Sequence, residues 1–169
     1  MQNRLNLKRI NRHLATTPWR VRRTFARSTL AAIEQAIKAS RASHVAEIRF
    51  AVEGALHGAR LYRGQSPRER ALELFSALRM WDTDHRNGVL IYVLLADRAV
   101  EIIADRGAHV RVGTDEWRAI CGRMEAAFRQ GKFEAGAIEG IQDVTRHLAA
   151  HFPAQAGGAD ELPSAPVVL

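Results

Sequence analysis

The chain has 169 residues, 47% of them hydrophobic, a formal net charge of +7 and one cysteine. That is length for one domain with a full core, and a single cysteine excludes an internal disulfide or a thiolate metal-binding spacing. The longest uncharged apolar stretch, Gly88 to Ala96, is far below the ~20 residues of a membrane span, and the basic N-terminus has no apolar signal segment. The expectation is a soluble protein of the cytoplasm.

The charge is unevenly placed. Residues 1–44 hold ten Lys/Arg and one acid, Glu34, so that segment carries +9 and the remainder −2. Residues 1–23 therefore read as a basic arm, 24–152 as the domain proper, and 153–169, with three of the five prolines, as a disordered tail. In the arm, RLNLKRINRHLA puts Leu7, Ile10 and Leu14 on one helical face. Arg4, Lys8, Arg9 and Arg12 surround it. Such a helix can lie on an anionic membrane surface, at the inner membrane face, or pack on its own domain with its charges solvated.

Thr16, Thr17 and Pro18 break this helix, and a second is predicted over Thr24 to Ala39. VAEIRFAV, residues 45–52, reads as a first strand, and Glu53 to Gln65, with three glycines, as a loop. SPRE then starts a helix: Ser66 caps, Pro67 suits the first turn and Glu69 closes a capping box. VLIYVLL is a strand without polar alternation, hence covered on both faces. Ala99 to Ala104 is a third strand, joined by a hairpin. With a two-residue Asp97-Arg98 turn, Asp105 would face Leu90 and Gly107 would face Gly88; Asp-Arg is not the preferred turn pair, so a longer loop is the alternative.

Thr114 is placed to cap the next helix, with stripe Trp117, Ile120, Cys121, Met124 and Phe128, ended by Gly131. Cys121 on that stripe reads as a buried, inert thiol. A last helix buries Ile138, Ile141, Thr145, Leu148 and Phe152. The order predicts a small mixed sheet of the α/β class, strands one and two parallel and strand three antiparallel.

That topology collects His44, Glu47, Thr83, Asp84, His85, Asn87, Asp105, Arg106 and His109 at one edge of the sheet. Carboxylates and imidazoles together can hold a divalent cation or move protons. Glu47, Asp84, Asn87 and Asp105 are the candidate ligands for calcium or magnesium. Asp105, Glu47 and His109 are the candidate acid–base groups, with His44 as an alternative acid, and Arg106 is a candidate phosphate contact. The opposite edge, with Glu53, His57, Asp97 and Arg98, is the rival location, since open α/β sheets bind ligands beyond the carboxyl ends of parallel strands. His13, His57, His147 and His151 read as ordinary surface residues. DTDHRNG fails as an EF-hand loop because its twelfth position is Val93 rather than Glu.

Three segments, IKASRASHVAEIRFAVE, RNGVLIYVLLADRAVEIIADRG and GKFEAGAIEGIQDVTRHLAAHFP, resemble the TPM domain family over residues 13–153. The resemblance implies a three-layer α/β/α sandwich. It also implies a phosphatase label, taken from acid phosphatase activity of plant members; other relatives are tied to calcium binding, photosystem repair or membrane-protein assembly. The matching positions are His44, Glu47, Thr83, Asn87, Gly88, Asp97, Glu101, Asp105, Arg106, Gly107 and His109. Arg41 stands where relatives usually carry Glu, and Ala46 where they usually carry Gly.

Three functions are thus in play: a non-catalytic binding or assembly module for a protein partner, a hydrolase of phosphate monoesters, and association of the basic arm with anionic lipid. Basic residues without aromatic interleaving or a recognised module argue against sequence-specific nucleic-acid binding.

Overall fold

The computed structural model describes residues 7–83, 85–154 and 162–169. A four-stranded sheet in the order β3-β2-β1-β4 is built from β1 (Ile48–Glu53), β2 (Val89–Leu94), β3 (Ala99–Ala104) and β4 (Val167–Val168). β1 and β2 run parallel, and β2 and β3 antiparallel. Every residue of β1 and β2 is buried, because helices cover both faces.

Phe50, Val52, Ile91, Val93 and Ile102 point into the larger core. There they meet α3 (Arg27–Ser40), α6 (Arg106–Val112), α7 (Thr114–Arg129) and α8 (Phe133–His151). Ala51, Leu90, Tyr92, Leu94 and Ile103 face a smaller core under α4 (Gly58–Tyr62) and α5 (Pro67–Ala77). This is the expected α/β sandwich. On the α5 face Tyr92 Oη donates to Glu53 Oε2 (2.7 Å), which also accepts from Arg70 Nε (2.8 Å), so β1's terminal carboxylate is a buried tie between sheet and helix.

The Ser66 capping box forms as expected, with Pro67 in the first turn of α5. Gly131 takes φ 77 beyond α7, the left-handed conformation that helix ends demand. Cys121 is half-buried on its stripe, and burial pushes its thiol up to about 12. Among the described residues no helix is long and apolar enough to cross a membrane.

Several local expectations are corrected. The hairpin loop has four residues, 95–98, with Arg98 at φ 54, so Leu94 pairs with Ala99 and Val89 with Ala104. Asp-Arg suits the two left-handed residues of a tight turn poorly, and the longer loop needs only one. Asp105 consequently faces Gly88 rather than Leu90, and its N–H donates to the Gly88 carbonyl (2.8 Å). Thr114 does not cap α7. Asp105 instead caps the additional helix α6, and Gly113, at φ 95, joins α6 to α7. The presumed loop 53–65 contains α4, and Thr17 caps a further helix, α2 (Pro18–Thr24). On α8 the buried stripe is Ala137, Ile141, Val144 and Leu148, rotated from the expected one.

The tail and the arm are corrected as well. Residues 162–169 are ordered against the domain: Val167 and Val168 pair in parallel with Ala51 and Val52, and Leu169 N–H donates to Val52 O (2.9 Å). Val-Val is strand-prone, and β1 offers an otherwise open edge. Residues 155–161 of that expected tail, and Arg4 of the arm, lie outside the described residues.

In α1 (Leu7–Ala15), Arg9 makes a bidentate contact to Asp97, with Nη2 at 2.7 Å. His13 is buried rather than on the surface. Its Nε2 lies 3.0 Å from Asp97 Oδ1, and its Nδ1 accepts the Leu56 N–H at 2.9 Å. An accepting Nδ1 fixes the neutral tautomer with hydrogen on Nε2. Lys8 remains exposed, and Arg12 approaches Asp97 only at 3.4 Å.

Candidate functional site

The amino ends of β1 and β2 and the exit of β3 form one rim. Its backbone is stitched together by Val89 N–H to Glu47 O (2.8 Å), Asp105 N–H to Gly88 O (2.8 Å) and Gly107 N–H to Arg86 O (3.0 Å). Asn87 joins the first two segments: its Nδ2 donates to Val45 O (3.2 Å), and its N–H donates to Thr83 Oγ1 (3.2 Å). Segments 44–47, 85–88 and 105–109 therefore converge, as the topology required.

Two glycines decide how closely. A Cβ on Gly88 would fall onto the Met80 carbonyl, and one on Gly107 would stand 2.6 Å from Arg86 O and 2.9 Å from His85 O. The chain passes backbone against backbone at both points, and neither tolerates a side chain.

The side chains do not gather as the backbone does. Register places Glu47, Gly88 and Asp105 in one row across three strands. The two acids are thus two strand spacings apart, roughly 10 Å between Cα atoms. The Met80 carbonyl fills the middle of that row, where Gly88 has no side chain. Glu47 is buried and engaged by Arg41 Nη2 (3.4 Å), which also donates to Leu162 O (2.6 Å). Arg41 thereby ties Glu47 to the C-terminal segment.

Asp105 caps α6, with Oδ1 accepting the Arg106 N–H at 2.6 Å, while its Oδ2 is buried with no hydrogen-bond partner among the described residues. Arg106 is exposed. His109 turns along its own helix towards Thr114 Oγ1 (3.5 Å). Asp84 lies outside the described residues.

His44 is 2% exposed, and neither ring nitrogen has a partner at hydrogen-bonding geometry among the described residues. Burial pushes its pKa down to about 4; the nearby Ala46 backbone offsets this only in part, and the Arg41 charge adds to it. His44 is neutral at pH 7 and its ring is shut away, so it does not deliver protons at the rim. No candidate acid is hydrogen-bonded to a candidate base among the described residues.

As a ligand set, Glu47, Asn87 and Asp105 are not equivalent. Asn87 is fixed through Nδ2 on Val45 O, Glu47 Oε2 is held by Arg41, and Asp105 carries a buried oxygen with no hydrogen-bond partner among the described residues. Among the described residues there is no group of three His, Cys, Asp or Glu placed to hold one metal ion.

Sequence reasoning missed the outer wall of the rim. A shallow depression of about 190 Å³ is lined by Val45, His85, Arg111, His151, Phe152 and Pro153. Arg111 stacks over the Phe152 ring at 4.5 Å and reaches the His151 carbonyl at 3.5 Å. The signal was Asp105 as an N-cap: a helix starting there carries Arg111 to α8.

The comparisons agree with this architecture. A model of the TPM domain matches residues 22–147. The BA42 protein of the psychrophilic bacterium Bizionia argentinensis, solved by NMR, is 30% identical. It aligns over 84% of this chain and 93% of its own, with a TM-score of 0.74. The N-terminal domain of a protein from P. gingivalis shares the fold at 22% identity and a TM-score of 0.57, over 75% of this chain and 78% of that one. No curated protein matches. The chain belongs to the TPM domain family.

Proposed function

We propose that this TPM domain is a non-catalytic binding module and that the rim takes its ligand at Asp105. The observation that carries the reading is the division of labour among the rim residues. Glu47 Oε2, Asn87 Nδ2 and one oxygen of Asp105 serve the fold, while Asp105 Oδ2 is left buried and without a partner among the described residues. A buried carboxylate oxygen without a donor is costly, and a bound cation would relieve that cost. Calcium or magnesium is the matching chemistry, held by one carboxylate with backbone carbonyls and water completing an oxygen shell. Such a site is weak and is anchored by Asp105 rather than shared equally among the described residues of the set expected from sequence.

The hydrolase reading lacks support from the same geometry. Hydrolysis by these groups needs an acid and a base within reach of one phosphate. His44 is enclosed, His109 faces Thr114, and the Met80 carbonyl stands between Glu47 and Asp105.

The test is an NMR titration of the full chain with calcium and then magnesium. Saturable shifts at Asp105 and across 85–88, lost in Asp105→Asn with the rest of the spectrum unchanged, support the reading. Absence of any saturable shift, or an undiminished response in Asp105→Asn, rejects Asp105 as the anchor.

A further inference from the structure

The opposite end of the sheet carries a feature that the rim does not explain. Where β2 ends and the hairpin begins, a cleft of about 300 Å³ opens between the loop, α2 and the end of α7. Val93 and Leu95 form its floor, and Phe128 and Phe133 its wall. Those two rings are stacked, centroids 5.3 Å apart at 26°, and both lean on Phe25. Over this apolar body stand Arg20, Arg98 and Arg129.

None of these three guanidinium groups has a hydrogen bond or ion pair with a described residue. The carboxylate in the lining, Glu125, is already committed to the Val100 N–H at 3.0 Å. Here three unpaired cations share one apolar lining, whereas Arg9, Arg60 and Arg123 are paired with Asp97, Glu73 and Asp143. Arg98 is moreover held at φ 54, a left-handed conformation that costs a non-glycine residue energy. The cleft lies beyond the carboxyl end of a parallel strand, where α/β sheets bind ligands.

We infer that this cleft binds a small organic anion, an oxyanion head held by Arg98 and Arg129 on an aryl or short acyl body lying against Phe128 and Phe133. Guanidinium forks suit a phosphate or carboxylate head. The volume is at the lower limit for ligand pockets and limits the body to about one ring. A second groove shares Arg20, Thr24, Gly131 and Phe133 with this one and runs on to Trp19, so the cleft is open on the α2 side.

Phenylphosphonate, which resists hydrolysis, is the probe, with inorganic phosphate as the head alone and benzyl alcohol as the body alone. In NMR titrations of the full chain, phenylphosphonate is expected to shift the Arg98 and Arg129 Nε–H and the Phe128 and Phe133 ring signals saturably. Head and body alone should bind at least roughly tenfold more weakly. Arg98→Gly keeps the left-handed backbone while removing the guanidinium. Combined with Arg129→Ala, at two exposed positions, it should abolish saturation without changing the remaining spectrum. No saturable shift, equal binding of either fragment, or unchanged affinity in the double variant would overturn the inference.

Discussion

The two ends of the sheet solve opposite problems. At the amino end, three segments are drawn so tightly together that Gly88 and Gly107 touch backbone, and the polar side chains are absorbed in holding that junction. At the carboxyl end, α1 is fastened on one side through Asp97, while on the other the hairpin, α2 and α7 bring three arginines, unpaired among the described residues, around an apolar cleft. Polar residues at a strand end therefore do not by themselves mark a binding site. The distinction is whether their donors and acceptors are already spent on the fold.

The largest effect should come from closing the amino-end junction with a side chain. Gly88→Ala puts a Cβ into the Met80 carbonyl, a backbone atom that cannot swing away. The expected loss is about 4 kcal/mol or failure to fold, read by urea denaturation. Near-normal stability would show that the β2 entry is looser than described.

Next is the enclosed His44. Its folded pKa of about 4 lies below the unfolded value near 6.5. Between those values the unfolded chain binds more protons, so this contribution is complete above pH 6.5 and is lost as pH falls towards 4. The loss is on the order of 3 kcal/mol by linkage. Denaturation midpoints measured across that window should show the slope in the native chain and a flatter profile in His44→Gln.

At the carboxyl end, Asp97→Asn keeps the shape but removes the charge that Arg9 and His13 address. Burial raises the Asp97 pKa, yet hydrogen bonds from Arg9 and His13 and the Arg9 charge outweigh it and hold the carboxyl below its usual range. The variant should lose roughly 2 kcal/mol. Because the native pKa is depressed, that stabilisation is full above the ordinary carboxylate range and fades as pH falls through the lowered native value. The smallest effect belongs to removing residues 162–169. It should cost about 1 kcal/mol from the lost β4 pairing and the Arg41–Leu162 contact, and leave β1 as a bare edge. A larger shift in the denaturation midpoint would give the tail more weight than its short pairing implies.

Much of this was legible in the sequence because local rules were sufficient. The Ser66 capping box, the two-sided β2 and the parallel crossover follow from spacing alone. The convergence of 44–47, 85–88 and 105–109 follows from topology. What escaped was set by geometry one residue wide. A hairpin two residues longer moved Asp105 onto the Gly88 row, and Asp105 became a cap for a helix not anticipated. His13 read as a surface residue because nothing local reveals that Asp97 and Leu56 wait for it across the fold. The cleft at Arg98 was invisible for the same reason: its phenylalanines and arginines come from four separate segments.

The most direct test of the account is turnover of a generic aryl phosphate by the purified chain between pH 4 and 9, with and without calcium or magnesium. The expected result is no hydrolysis above the buffer rate under any of these conditions. Hydrolysis that disappears in a correctly folded Asp105→Ala variant would contradict it, and would require the rim acids to cooperate despite the Met80 carbonyl between them.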